Sequence, residues 1–280
     1  MIKITPDETK VISRYVADLS GVVLDNSKAY LMEARLSKLA EEVGCASYSE
    51  LYFKAKSDTS KAIERKIVDA ITTGETSFFR DNSPFELLQH KILPDLIDKR
   101  VVKAPGFGVT KLRIWSAASS TGQEVYSIAM ILKELLPDLR KYDIKLLGTD
   151  ISDDAIARAS YGKYNKFELE RGLSRPKLEK YFNNHGDTWR IKDEVRGMAD
   201  FKKQNLLKPF IHNGKWDIVL CRNVAIYFKL EDRQRLFNKI ASIIEPDGYL
   251  LIGASEHLAG VCARFEPKRY LKSIFYQLKG

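Results

Sequence analysis

The sequence predicts an α/β domain with a mainly parallel sheet, preceded by an all-helical bundle and carrying a small β-rich insertion. Three observations predict it. Residues 1–82 repeat their apolar side chains at helical spacing. From Leu112 onward, short apolar runs alternate with helical segments, the pattern of parallel strands joined by crossover helices. Between the second and third of those strands, over roughly 160–204, a polar turn and an alternating stretch break the rhythm. The boundary between bundle and sheet domain is expected near residue 82, giving domains 1–82 and 83–280.

In the bundle, Thr5 to Glu8 fits a capping box with Pro6 at the first helical position. Val11, Ile12, Tyr15, Val16 and Leu19 then recur at helical spacing until Gly21. A second helix is expected from about Lys28 to Val43, with Gly44 as its stop. A third begins at Ser47 or Ser49, and a fourth spans Ser60 to Ile71. The Pro/Gly-rich stretch Lys103 to Lys111 reads as a mobile loop. Strands follow at "LRIWSAA", "IKLLGTD" (ending on Asp150), "WDIVLC" and "GYLLIGAS", and the tail from Ile274 to Leu278 alternates like a strand near a sheet edge. Helices fill the gaps at Gly122 to Leu136, Asp153 to Ala159 and about Glu231 to Ile244. The insertion holds a short helix (Ser174 to Phe182), a turn (Asn183 to Asp187) and alternating "TWRIKDEV".

At 280 residues and 44% hydrophobic, the chain has enough apolar material for one large core and a smaller one. The N-terminal stretch lacks a signal-peptide pattern, no run approaches a membrane span, and three scattered cysteines suit reduced thiols. These features predict a cytoplasmic protein without membrane insertion. The net charge of +9 is uneven: residues 158–215 carry 14 basic and 7 acidic side chains, whereas residues 1–82 carry 12 and 13. Such a patch suits an anionic partner or a solvated face.

Ligands of open α/β sheets bind beyond the carboxyl ends of the strands. The first strand leads into Ser119, Ser120, Thr121, Gly122 and Glu124, far too little glycine for a dinucleotide fingerprint. Asp150 at the end of the second strand is placed either to accept from ribose hydroxyls or to cap the next helix. Glu124 in a helix's first turn repels phosphate and favours a cation. A ligand with ribose, adenine and a positive charge but no phosphate fits, and S-adenosylmethionine is such a ligand. "CRN" after the third strand and "GASEH" after the fourth bring Arg222, Asn223, Ser255 and Glu256 to the same edge. In "TTGETSFFRD", Thr76 and Arg80 read as ligand contacts, while Phe78 and Phe79 read as packing between bundle and sheet. His90, His185, His212 and His257 show no ligand spacing, so the site is expected to be metal-free.

Together, "ETSFFRD", "RIWSAASSTGQEVYSIAM", "LLGTDISDDAI", "NLL", "WDIVLCRNVAIYF" and "PDGYLLIGASEHL" resemble the chemotaxis receptor glutamate O-methyltransferases, the CheR family, in order and spacing over nearly the whole chain. The resemblance implies a class I S-adenosylmethionine-dependent methyltransferase sheet, Rossmann-like, with an N-terminal helical domain and an inserted β subdomain. It implies cofactor contacts at Gly74, Thr76, Arg80, Glu124, Asp150, Asn205, Leu206, Arg222 and Asn223, with Tyr227 near the reacting centre. Three positions depart from the family pattern: Gly74 stands where Asn is usual, Gln123 where Glu is common, and Ala225 where a larger apolar residue is common.

The reaction implied is methyl transfer to glutamate carboxylates of receptor signalling helices, leaving S-adenosylhomocysteine. Arg80 or Arg222 is expected to orient the carboxylate, with Tyr227 lining the methyl passage. The basic insertion (Arg171, Arg175, Lys177, Lys180, Arg190, Lys192, Arg196) suits an acidic receptor, and in some family members it docks a receptor's C-terminal peptide. Lys28, Arg35 and Lys38 of the second helix are a second contact candidate or a solvated face. Two rivals remain: a cofactor- or receptor-binding module without turnover, which Gly74 favours, and a nucleic-acid methyltransferase. The second lacks the N/D-P-P-Y/F segment of base N-methylation, so no nucleic acid is expected.

Overall fold

The computed structural model describes residues 2–103, 109–211 and 214–280. The loop expected at Lys103 to Lys111 thus lies mostly outside the described residues, as does His212. The bundle comprises α1 (Pro6–Ser20), α2 (Ala29–Glu42), α3 (Tyr48–Ser57) and α4 (Ala62–Ile71). Thr5 and Glu8 form the reciprocal capping box, and Gly21 ends α1 with φ +80°. Ser47, not Ser49, caps α3 by accepting from the Glu50 N–H. Ile12, Val16, Met32, Leu36, Ile67 and Ile71 are part of the bundle's own core.

A helical segment unassigned from sequence follows. It runs through α5 (Ser83–Leu87), a π-helical turn (Leu88–Ile92) and α6 (Leu93–Lys103). Pro84 sits in the first turn of α5, where no intrahelical N–H is needed, and Pro94 follows the π turn at the start of α6. Phe85, Leu88, Ile92, Leu93 and Leu96 pack into one face of the sheet domain.

The sheet domain then runs through β1 (Thr110–Ala117), α7 (Gln123–Leu135), β2 (Tyr142–Asp150) and α8 (Asp153–Tyr161). The insertion follows: β3 (Lys163–Asn165), α9 (Lys166–Glu170), α10 (Arg175–Tyr181), β4 (Phe182–His185), β5 (Thr188–Ile191) and α11 (Asp193–Arg196). The chain returns through β6 (Ala199–Lys203), β7 (Trp216–Cys221), α12 (Leu230–Ile243), β8 (Ile244–Ile252), β9 (Phe265–Tyr270) and β10 (Ser273–Leu278). The main sheet has the order β6-β2-β1-β7-β8-β10-β9, parallel except where β10 runs antiparallel to both neighbours. This is the expected α/β class, with a helical N-terminal bundle and a second sheet, β3-β5-β4, in the insertion. Strand order reverses between β1 and β7, which opens a crevice at their carboxyl ends.

Two local expectations are corrected. Residues 199–203, assigned from sequence to the insertion, form β6 of the main sheet, so the small sheet is confined to 163–191. The strand in "TWRIKDEV" ends at Ile191, and Asp193 to Arg196 turn into α11. The tail strand β10 lies near the sheet edge as expected, next to the edge strand β9, which was unassigned from sequence.

Candidate active site

The cavity at the switch point is lined by Gly74, Thr76, Arg80, Glu124, Asp150, Leu206, Arg222, Asn223 and Tyr227. The sheet forms its floor. Ser20 and Val22 at the end of α1, Asp69 on α4, and the segment after α4 form its roof. The roof is pinned in place: the Val23 N–H donates to the Tyr227 carbonyl at 2.9 Å, and Asn205 Nδ2 donates to the Leu19 carbonyl at 2.8 Å. Asn205 is therefore committed to docking the bundle, and it is not among the lining residues; its neighbours Gln204 and Leu206 are.

The glycine-poor loop after β1 still takes left-handed backbone. Ala118 and Ser120 have φ of +60° and +50°, and Gly122 has +93°. Such a conformation costs a non-glycine residue on the order of 1–3 kcal/mol and persists where surroundings over-determine it. Here the Ser120 N–H donates to Asp150 Oδ2 at 2.9 Å, its hydroxyl to the Gly74 carbonyl at 3.1 Å, and the Ser119 N–H to the Thr149 carbonyl at 2.8 Å. Gly74 thus ties the roof to this loop through its backbone. A Cβ there would stand 3.6 Å from Ser120 Oγ, an ordinary contact, so the position has room for a side chain.

The two readings of Asp150 separate cleanly. Ser152 caps α8, its hydroxyl accepting from the Ala155 N–H at 3.1 Å. Asp150 instead takes one backbone N–H on each oxygen, from Ser120 and, at 3.0 Å, from Ser152. Each oxygen keeps a further lone pair for the cavity. Burial pushes its carboxyl above the ordinary value of 3.8, against the lowering effect of those N–H donors.

The two arginines have different surroundings. Arg222 is buried, with Nη1 donating to Glu124 Oε2 at 2.7 Å and Nη2 to Asp81 Oδ2 at 2.8 Å and the Arg80 carbonyl at 2.9 Å. Its guanidinium also lies over the Phe85 ring. Ser116 donates to the other oxygen of Glu124 at 2.8 Å. The expectation that Arg222 could clamp an incoming carboxylate is corrected: both terminal nitrogens are already engaged. Arg80 is half-buried, and its guanidinium makes a single hydrogen bond among the described residues, to the Glu75 carbonyl at 2.9 Å.

Asn223 sits at φ +56°, held from behind by Glu256, whose Oε2 accepts from the Asn223 N–H at 2.8 Å and the Gly253 N–H at 2.7 Å. A Cβ on Gly253 would meet both Asn223 Nδ2 and Glu256 Oε2 at 2.7 Å. Phe78 does not pack between bundle and sheet; it is fully buried edge-to-face against Tyr164 and Phe182 of the insertion. Phe79 packs against Phe85, with the Lys177 ammonium 5.2 Å from its ring.

Five of the insertion's seven named basic side chains have acidic partners within the chain. Arg171 pairs with Glu75, Arg175 with Glu179, Lys177 with Glu134, and Arg190 and Arg196 with Asp193. Lys192 donates to the Lys180 carbonyl at 2.6 Å, leaving Lys180 over the Tyr181 ring. Arg35 of α2 is no free surface charge either, since it donates to the Ile71 carbonyl and Thr73 Oγ1. Sequence reasoning missed Asp69 and Gln204 on the cavity wall; Ser119 and Glu256, expected at this edge, are found there, Ser119 in the wall and Glu256 behind it as a support.

Comparison with known proteins adds to this geometry. A family model described as "CheR methyltransferase, SAM binding domain" matches residues 74–272, and one described as "CheR methyltransferase, all-alpha domain" matches residues 7–72. A chemotaxis protein methyltransferase of Vibrio parahaemolyticus is 39% identical over 99% of both chains. One of Borreliella burgdorferi is 36% identical over 92% of this chain and 91% of its own. Among solved structures, a TehB-like SAM-dependent methyltransferase from Corynebacterium glutamicum is 15% identical with a TM-score of 0.37, covering 71% of this chain and 97% of that one.

Proposed function

The chain belongs to the CheR methyltransferase family and takes S-adenosylmethionine as its cofactor, and from that premise we propose that it methylates glutamate side chains of chemotaxis receptors. The cavity fits the cofactor on its own chemistry. Asp150 offers two acceptors at the ribose position, and Asp69 Oδ1 and Ser119 Oγ are buried without hydrogen-bond partners among the described residues. Asp150, Leu206, Asn223 and Thr76 are the residues assigned to hold it, with Glu124 facing its positive charge. When bound, the cofactor supplies a methyl group on a positively charged sulfur, which a carboxylate oxygen displaces to give a methyl ester and a neutral thioether.

That displacement moves no proton, because a glutamate is already ionised at neutral pH. Among the described residues, no histidine or cysteine lines the cavity, in keeping with an acceptor that needs no such base. The work left to the protein is alignment and exclusion of water. The observation that carries the reading is the inequality of the arginines. Arg158 and Arg222 also line the cavity but are spent on Glu168 and on Glu124 and Asp81, whereas Arg80 has no carboxylate partner among the described residues. Arg80 is assigned to orient the incoming carboxylate, and Tyr227, half-buried on the same wall, to line the methyl passage. A loose arginine contact suits catalysis better than a tight clamp, which would stabilise the charged ground state.

The test is incubation with methyl-labelled S-adenosylmethionine and receptor-containing membranes from the source organism, followed by base treatment. Label released as volatile methanol from a receptor-sized band is expected. Its absence, beside a family enzyme that labels its own receptor, would favour the turnover-free binding module. Tyr227→Phe is expected to lower turnover at saturating substrate; unchanged turnover would remove any role for the hydroxyl. Receptor docking at the insertion, through a C-terminal peptide, belongs to the same proposal and is tested by adding that peptide as a competitor.

A further inference from the structure

Asp69 is hard to explain by stability. It lies in the last turn of α4, where the helix dipole disfavours an acid. Its Oδ1 is shut from solvent with no hydrogen-bond partner among the described residues, an arrangement that costs free energy in any folded protein. It also faces the same cavity as Asp150, whose carboxyl its charge helps to push up. Three unfavourable terms thus converge on one side chain.

The helix explains how it gets there. Ile67 and Ile71 turn into the bundle core, so Arg65 and Asp69, four residues apart, share another face. On that face Arg65 reaches Asp153 at the start of α8 at 3.8 Å, which brings α4 alongside the helix that follows Asp150. Asp69 is therefore delivered by the helical bundle to the part of the cavity where β2 ends.

We infer that Asp69 is a cofactor-binding residue that accepts a hydrogen bond from a ribose hydroxyl, so that the ribose is gripped between Asp150 of the sheet and Asp69 of the bundle. A bound nucleoside then satisfies the orphan oxygen and screens two like charges at once. It also joins two domains that otherwise meet through contacts such as Arg65 with Asp153 and Val23 with Tyr227. The inference rests on S-adenosylmethionine being the cofactor and not on which group accepts the methyl.

The experiment is calorimetric titration of the full-length protein with S-adenosylhomocysteine and with its 2′-deoxy and 3′-deoxy analogues, alongside thermal melts without ligand. Asp69→Ala is expected to weaken S-adenosylhomocysteine by about tenfold or more, the range of a hydrogen bond to a charged group. Asp69→Asn, which keeps an acceptor, should lose less. Neither ligand-free variant should melt below wild type. For one deoxy analogue, wild type and Asp69→Ala should bind alike. Binding of S-adenosylhomocysteine to Asp69→Ala within twofold of wild type, or an undiminished gap with both analogues, would overturn the assignment. Failure of wild type itself to bind would count against the cofactor and is seen separately.

Discussion

Replacing Arg222 by Leu and Arg80 by Ala separates two arginines that look alike in the sequence. Arg222 has a 2% exposed side chain and is shared by Glu124, itself 12% exposed, and by Asp81 at 37%. Removing it strands the Glu124 charge with, among the described residues, only the Ser116 hydroxyl for company. Breaking a buried pair from one side costs about 3–5 kcal/mol, and the Asp81 arm adds little because that partner is solvated. At roughly 2–4 °C per kcal/mol, the melting temperature should fall by about 10 °C. Adding Glu124→Gln to Arg222→Leu should recover a good part of that loss, since the uncompensated charge goes too. Arg80→Ala removes one hydrogen bond at a half-exposed position, so its melt should shift by only about 2 °C. Its kcat/KM for the receptor should fall by about tenfold or more. Differential scanning calorimetry and initial rates read both effects. The reasoning fails if Arg222→Leu melts like wild type, or if Arg80→Ala is the variant that unfolds.

Asp150 gives a pH signature. Its carboxyl titrates higher in the folded protein than its ordinary 3.8, so the folded state holds the extra proton between those values. Its contribution to stability is therefore complete below 3.8 and lost as pH rises through the raised value. Urea titrations of the ligand-free protein should show a steeper fall over that window than those of Asp150→Asn, which should also no longer gain stability from S-adenosylhomocysteine; parallel pH curves would refute this. Glu256→Ala strands the N–H groups of Asn223 and Gly253, and is expected to destabilise by about 2–3 kcal/mol and to weaken S-adenosylhomocysteine, measured by denaturation and calorimetry. Gly172→Ala places a Cβ against the Phe78 carbonyl at φ +110°, which should cost about 3 kcal/mol and loosen the insertion, read as faster limited proteolysis there.

The sequence was legible where one residue's position settles its role. Short apolar runs located β1, β2 and β7, which are buried on both faces over much of their length, and the 3.6-residue period located the bundle helices, which bury one face. Asp150 and the sparse-glycine loop were legible for the same reason: their place at a strand end carries the meaning. It was illegible where role depends on a partner. Nothing in "CRN" tells that Arg222 is consumed by Asp81, 141 residues away, and nothing in "GASEH" tells that Glu256 works by holding a backbone N–H. Arg171 and Lys177 of the insertion looked available because their acidic partners, Glu75 and Glu134, lie far off in sequence. Segment 83–103 was left unassigned, although its prolines fall at the start of α5 and just after the π turn, where a helix tolerates them.

The cavity wall is built from held groups and unheld ones, and the difference assigns the work. Ser120, Glu124, Arg222 and Asn223 each have their geometry fixed by partners behind them, at a cost in left-handed backbone at Ser120 and Asn223 and in buried charge at Glu124 and Arg222. A reaction that requires oxygen, carbon and sulfur in line needs such rigidity in its walls. Arg80 and the Oδ1 oxygen of Asp69 lack that support. Both come from the chain segment that ends the bundle and crosses to the sheet, so the roof carries unsatisfied groups of its own, opposite Ser119 Oγ on the sheet side. A roof that completes its hydrogen bonds only with a ligand in place should close more tightly in the complex. Hydrogen exchange should then show residues 69–80 slowing with S-adenosylhomocysteine while β1 and β7 stay unchanged.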